Sequence, residues 1–525
     1  MVKRFSKFFH SENSVRQASL LLLITMALSN VMGLLRDHFL ARYITTSQLD
    51  IYFAAFRIPD LVFNFLILGG ISSAFVPIFC DFIAKNKLKE GWKVANSFLN
   101  ILFSVMLFAA VVLIIIMPWL TRLVVPDFSP EKMAQTTQLS RILMITPLFF
   151  TLSYIFSGIL NSFKRFVSYA FAPLVYNLAI ILGAIFVAPH YGIKGVTILV
   201  VVGAFLHMAI QLPSVARVGW QYLPIFDWRD KAVRRIIQLM IPRTVGLGVN
   251  QILLIAYTAI GSTLAAGSIS AFNFANNIQT MPIVVFGNAF ATAVFPTLTT
   301  AISEEKFDVF AKYLSRTIRS ISFFLIPSSV LFIMIRAQIV RLILGSGQFG
   351  WDDTKTTALA LGFFSISLLA QGLVPLFARS FYAMKNTRTP MYVSVITVII
   401  SIVLAYPLSR VMGVAGLALS FTIGSTFNAV VLYLLLLKKE KNLFDIKVIY
   451  SMLKVIFISG IMALAVRPTL YLMAEKVNMD TFFGVLLQSA VAVAVAIVIF
   501  FAGAKLFKCE EITWALKRKI NVEAN

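Results

Sequence analysis

Asp50, Arg57, Asp60 and Asn64 fall within one short and otherwise apolar stretch. On a helix, positions 50, 57 and 64 share a face with Asp60 beside them. At about 1.5 Å per residue Arg57 lies roughly 10 Å, and Asn64 about 21 Å, deeper than Asp50. A guanidinium at such depth is the group best suited to a phosphate or diphosphate, because its planar fork donates several hydrogen bonds and keeps its charge. The alternative is an internal Asp50, Arg57 and Asp60 network that only fixes helix packing. An upstream segment carries Asn30, Gly33, Arg36, Asp37 and Arg42. Arg36 is about 30 Å along an ideal helix from Arg16, so it lines a cavity or snorkels to the outer interface; Arg42 reads as a snorkelling residue. Arg243, after Pro242, is about 12 Å past Arg235 and lines an inner vestibule or anchors at the interface. Asn273, Asn276, Asn277 and Thr280 form one hydrogen-bonding face, which serves a cavity or joins helices.

The medium around these residues follows from composition. Of 525 residues, 59% are hydrophobic and only 13% charged, which no water-soluble surface accommodates. Runs of about 20 apolar residues, the length that crosses a bilayer core, recur along the chain, and continuous runs such as Ile101 to Leu120 exclude alternating barrel strands. Spans are expected near residues 17–43, 50–84, 94–120, 134–161, 166–188, 193–215, 232–264, 268–302, 310–343, 354–384, 389–409, 413–437, 446–473 and 480–507, making an all-α integral membrane protein of about fourteen transmembrane helices. The basic start, Lys3 to Arg16, is read as leading into an uncleaved first helix.

A formal charge of +24 would suggest nucleic acid in a soluble protein. Here the basic residues gather in alternate connections, such as Lys85 to Lys93, Arg217 to Arg235 and Lys438 to Lys441, as cytoplasmic loops do. No nucleic-acid partner is expected, and both termini are placed inside the cell, in a bacterial cytoplasmic membrane.

The chain repeats itself. Phe53 and the run Ala74 to Pro77 recur as Phe272 and Ala293 to Pro296, while Lys164, Gly192 and Gly195 recur as Lys385, Gly413 and Gly416. Six spans per copy is an even number, so the repeat is parallel. The expected organisation is an N-lobe of helices 1 to 6 (residues 1–220), a C-lobe of helices 7 to 12 (221–440) and two further helices (441–525).

No acid occurs from Lys231 to Ser303 or from Thr354 to Lys439, so the second half offers no buried carboxylate for a cation, and an anionic cargo is favoured. No G-x-x-x-x-G-K-[ST] loop is present to hydrolyse nucleotide. Cys80, Cys509 and the four histidines form no metal spacing. The expectation is a transporter with no catalytic residues, metal or cofactor, driven by a gradient, the membrane potential or a downstream reaction, with membrane lipids and, where a gradient drives it, a coupling ion as partners.

The stretches GLLRD (Gly33 to Asp37), Asp50 through Arg57, Ile58 and Pro59 to the run Ser73 to Pro77, NSFKRFVSYAFAP (Asn161 to Pro173) and RSFYAMKNTRTP (Arg379 to Pro390) resemble the MurJ (MviN) family of lipid II flippases, within the multidrug, oligosaccharidyl-lipid and polysaccharide exporter superfamily. The resemblance implies an alternating-access flippase moving a polyprenyl-diphosphate-linked peptidoglycan precursor, lipid II, to the outer leaflet. It also implies two six-helix lobes around a cationic cavity and a groove for the polyprenyl tail at the last two helices. It makes Arg36, Asp37, Asp50 and Arg57 matching substrate-site positions, joined by Asp60, Asn30, Asn64, Arg243 and Asn277 as candidates. The chain departs from the family at Asn30, Phe63, Asn64 and Asn277, where better-known members carry arginines, and at Leu68, where they carry glutamate. Either Arg36, Arg57 and Arg243 form the anion site in a changed arrangement, or the head group is another polyprenyl-diphosphate saccharide. A non-transporting scaffold for wall synthesis is the third reading.

Overall fold

A computed structural model of the chain describes residues 15–65, 74–439, 443 and 445–512, without the side chains at 15–20, 22–23, 241–247 and 249. Among the described residues the regular structure is helical throughout, as a bilayer demands of a chain that must satisfy its own backbone. A helix or a set of helices stands at each expected segment. Among the described residues nine helices are long and apolar enough to cross a membrane, or ten if Trp351–Ile366 and Leu368–Ala383, bent by 47° against each other, count as one. One of the nine, Val167–Arg217, holds 51 residues, and Gly192, at φ 55° and ψ −151°, divides it where the sequence places the end of one span and the start of the next. That backbone region is essentially closed to residues with a Cβ.

The chain forms two compact units, one of residues 1–270 with 346–349, the other of 271–345 with 350–525. In the first unit, Phe75, Phe79 and Phe98 stack at 5.3 and 5.6 Å between ring centres in a core that also takes Val233, Ile236 and Met240 from the Lys231–Ser262 helix. In the second, Phe310, Leu314, Ile321 and Leu325 of the Phe307–Met334 helix pack on Leu376, Phe377 and Phe381. The last two long helices, Ile446–Lys476 and Phe482–Leu506, join this unit through Val455, Ile458, Met462 and Phe500 around Phe323. Polar contacts fix their ends: Ser315 donates to Asp445 at 2.5 Å, Ser451 to Glu511 at 2.7 Å, and Arg319 pairs with Glu510 at 2.9 Å. Burial pulls the Asp445 carboxyl upward, but the Ser315 hydroxyl, the Lys447 amide and the nearby Arg319 and Lys447 charges together hold it below the usual carboxylate range.

The backbone carries the repeat too, in one pair where the side chains differ. Positive φ occurs at Asn86 and Glu305, 219 residues apart, and at Lys164 with Lys385 and Gly192 with Gly413, each 221 apart. The first two pairs end helices alike. Lys87 donates to the Phe82 carbonyl as Lys306 does to that of Ala301, and Arg165 donates to that of Leu160 as Asn386 does to that of Phe381, the six-to-one bond that closes a helix on a left-handed residue. A π-helical turn begins at Asn64 and another at Ile283. The helix breaks match as well, with Thr146 donating to the Leu143 carbonyl and Ser367 to that of Phe364.

Candidate functional site

The polar stretch at residues 50–64 is not one ideal helix. Thr46–Ala55 ends at Phe56 and Arg57–Phe63 begins beyond it. Pro59 has no N–H to give the Ala55 carbonyl, and the buried Ser140 hydroxyl donates to that oxygen instead, at 3.1 Å. Asp50, expected on the same functional face as Arg57, is committed to structure. It is buried, and its carboxylate accepts from the Gly267 amide at 2.6 Å and from the Ser270 amide and hydroxyl at 2.7 and 2.5 Å. These donors open the Ser268–Pro282 helix, so Asp50 caps it from a distant part of the chain.

Arg57 is 6% exposed. Its Nε donates to Thr258 Oγ1 at 2.6 Å, and that hydroxyl donates on to the Leu254 carbonyl at 2.8 Å. Asp60, one turn along and half-buried, lies within electrostatic range of both Arg57 and Arg36. Asn64 turns its amide back to the Asp60 carbonyl at 2.7 Å. Arg57, Asp60 and Asn64 thus form a local polar group on one short helix and its C-terminal turn, supported by Thr258.

Arg36 is held by side chains of the protein. Its Nε and Nη2 donate to Asp37 Oδ1 at 3.1 and 2.9 Å, and its Nη1 to Asn177 Oδ1 at 3.3 Å. The side chain is 23% exposed while that of Asp37 is 2% exposed, so the pair is held with the guanidinium on the accessible side. Arg42 is exposed and lies over the Tyr43 ring, 5.7 Å from its centre. Asn30 is half-buried on the same helix as Arg36. The Arg243 side chain lies outside the described residues, as do Leu68, Gly69 and Gly70.

Asn277 belongs to the second unit and is half-buried. In its stripe, Thr280 donates back to the Asn276 carbonyl at 2.7 Å and Gln279 donates to the Asn276 side chain at 3.0 Å. Gln279 accepts in turn from Gln371 at 2.8 Å, and Gln371 also donates to Ser367 at 2.9 Å. Part of this face therefore links helices and supports the bend at Ser367.

Sequence reasoning missed Thr258, Asn177, Ser140 and Gln371. A threonine or asparagine in an apolar run has no pattern that distinguishes a partner of arginine from a self-satisfied residue. Two guanidiniums, Arg36 and Arg57, face two carboxylates, Asp37 and Asp60, so this region holds its charges nearly balanced. No group of three or more His, Cys, Asp or Glu that could hold a metal occurs among the described residues. In the second unit a cavity of about 670 Å³ is lined by Met334, Leu464, Arg467, Pro468, Tyr471 and Leu472 among others.

The family model described as lipid II flippase MurJ matches residues 40–492. The lipid II flippase MurJ of Burkholderia cenocepacia is 29% identical over 78% of this chain and 82% of its own length. The probable lipid II flippase MurJ of Haemophilus influenzae is 28% identical over 87% of this chain and 93% of its own. Among solved structures, a lipid II flippase MurJ in an inward closed conformation superposes with a TM-score of 0.78 at 26% identity, covering 94% of this chain and all of that one. An inward-facing MATE-family multidrug transporter shares the fold alone, with a TM-score of 0.66 at 16% identity. With a match that runs through most of both compact units, the chain belongs to the MurJ family of lipid II flippases.

Proposed function

We propose that this chain carries lipid II from the inner to the outer leaflet of the bacterial cytoplasmic membrane by alternating access, acting as a transporter and not as a catalyst. The single observation that carries this beyond family membership is Arg57, a buried guanidinium in a segment whose sequence reads as a span, donating to the Thr258 hydroxyl, with Asp60 near and Arg36 in the same electrostatic neighbourhood. A charge at mid-bilayer costs about 2.5 to 3.5 kcal/mol on insertion scales, so its presence calls for a function. In this reading the lobes are residues 1–220 and 221–440, both termini are cytoplasmic, and a diphosphate displaces Asp37 from Arg36 and binds Arg57 with Asp60 nearby. Asn30 and Asn64 belong to the head-group surface of the first unit, and Asp50 holds the start of the Ser268–Pro282 helix rather than touching substrate. The cavity beside Pro468 has the apolar lining a polyprenyl tail needs.

The near balance of charge favours a second reading, a flippase for another polyprenyl-diphosphate saccharide whose sugars supply more of the contacts. The two separate in a bacterium depleted of its own flippase. Expression of this chain is expected to restore lipid II at the outer surface, read with a membrane-impermeant reagent that modifies the exposed head group. Failure with the protein correctly inserted rejects lipid II as the cargo.

A further inference from the structure

The Leu88–Val124 helix has 37 residues, about 55 Å at 1.5 Å per residue, against a hydrocarbon core of about 30 Å. Its start therefore lies outside the core. Lys89, Glu90 and Lys93 are exposed there, and exposed apolar side chains begin at Val105, Leu107 and Phe108. Between those marks the helix carries Asn96, Ser97 and Asn100, all buried.

These three side chains hold a non-helical strap, residues 220–227, against the helix. Asn96 donates to the Gln221 carbonyl at 3.0 Å and accepts from the Leu223 amide at 3.1 Å. Asn100 donates to the Leu223 and Ile225 carbonyls at 2.9 and 3.0 Å, and Ser97 accepts from the Asp227 amide at 2.7 Å. Irregular backbone is admissible beside lipid only where such partners exist. Tyr222 and Phe226 of the strap and Trp228 just past it are each more than half exposed, an aromatic row of the kind that marks a membrane interface.

The guanidiniums of Arg229 and Arg234 lie over the Trp228 ring, 5.6 and 5.8 Å from its centre, and Arg234 Nε donates to the Trp228 carbonyl at 3.2 Å. The nearby acids are already engaged. Asp227 accepts from the amides of Arg229 and Asp230, and Asp230 caps the next helix through Ala232 and Val233. No carboxylate among the described residues lies within ion-pair distance of Arg229 or Arg234.

We infer that Trp228, Arg229 and Arg234 form a headgroup site for anionic phospholipid, with the strap seated in the interface and the two guanidinium forks on the phosphodiester. The occupant is set by charge and chemistry: forked cations suit a phosphate, and the flanking aromatic residues suit the acyl boundary beneath it. A solvated basic loop needs neither the outward aromatic row nor the three buried side chains that hold the strap flat.

The full-length protein in nanodiscs tests this, using phosphatidylglycerol or phosphatidylcholine brominated near the carbonyl end of the acyl chain. Tryptophan emission is expected to be quenched more by the brominated anionic lipid at equal mole fraction. Basic residues near an anionic surface contribute about 1 kcal/mol each, about fivefold in local lipid preference per arginine. Trp228→Phe should remove the difference between the lipids. The double variant R229Q/R234Q, which alters only exposed side chains, should leave quenching by both lipids but bring their ratio to one. Equal quenching by the two lipids in the wild-type protein, or a preference that survives R229Q/R234Q, overturns the site.

Discussion

Asp50 and Arg57 are seven residues apart and both buried, yet their partners give them opposite roles. The Asp50 carboxylate accepts from three donors, the Gly267 and Ser270 amides and the Ser270 hydroxyl, the last of which also reaches the Thr46 and Gly267 carbonyls, whereas Arg57 donates to the Thr258 hydroxyl, which itself bonds onward. Removing a buried acceptor leaves its donors desolvated at about 1 to 3 kcal/mol. Asp50→Ala is therefore expected to lower thermal stability of the purified protein by about 3 kcal/mol. Arg57→Lys should change stability by about 1 kcal/mol or less, while cutting transport at least roughly tenfold, because a compact ammonium lacks the planar fork that donates to Thr258 from Nε and two parallel bonds to a phosphate from the terminal nitrogens. Thermal unfolding and transport measured on the same two preparations check both statements. Unchanged transport in Arg57→Lys would remove that residue from the head-group site.

At the scale of elements, prolines free carbonyls and one helix answers two of them. Pro59 releases Ala55 and Pro118 releases Ile114; the consecutive residues Ser140 and Arg141 of the Pro130–Leu143 helix donate to these oxygens at 3.1 and 3.0 Å. Glycine acts differently. A Cβ at Gly192 would meet nothing within 4 Å, so Gly192→Ala costs only backbone strain, expected at about 1 to 3 kcal/mol. A melting temperature equal to wild type would show that the divide at residue 192 does not need its left-handed backbone. The sequence made the segments visible because a bilayer requires about 20 apolar residues per crossing, and it marked Pro59 as a break. It did not reveal that Phe56 is where the helix ends, nor that Asp50 reaches across to Ser270. An ideal helix put Asp50, Arg57 and Asn64 on one face, and side-chain pairing over some 220 residues has no local signature.

For the whole molecule, the repeated left-handed positions say more than the repeated residue types. Asn86 answers to Glu305 and Lys164 to Lys385, so the turns are kept although one pair shares no side-chain chemistry. The offsets read from Pro77, Lys164 and Gly192 in the sequence were the trace of this. The balance of charge around Arg36 and Arg57 was not legible there, because the partners Asp37 and Asp60 looked equally able to face substrate or water. Transport in this reading needs Arg36 to exchange Asp37 for the diphosphate and Arg57, beside Asp60, to bind it as well. The most direct measurement is lipid II translocation in proteoliposomes of the purified chain, followed by accessibility of the head group to an impermeant probe. Wild type is expected to expose lipid II on the far leaflet, and Arg36→Ala with Arg57→Ala to insert normally and expose none. Translocation by the double variant at the wild-type rate would contradict the account.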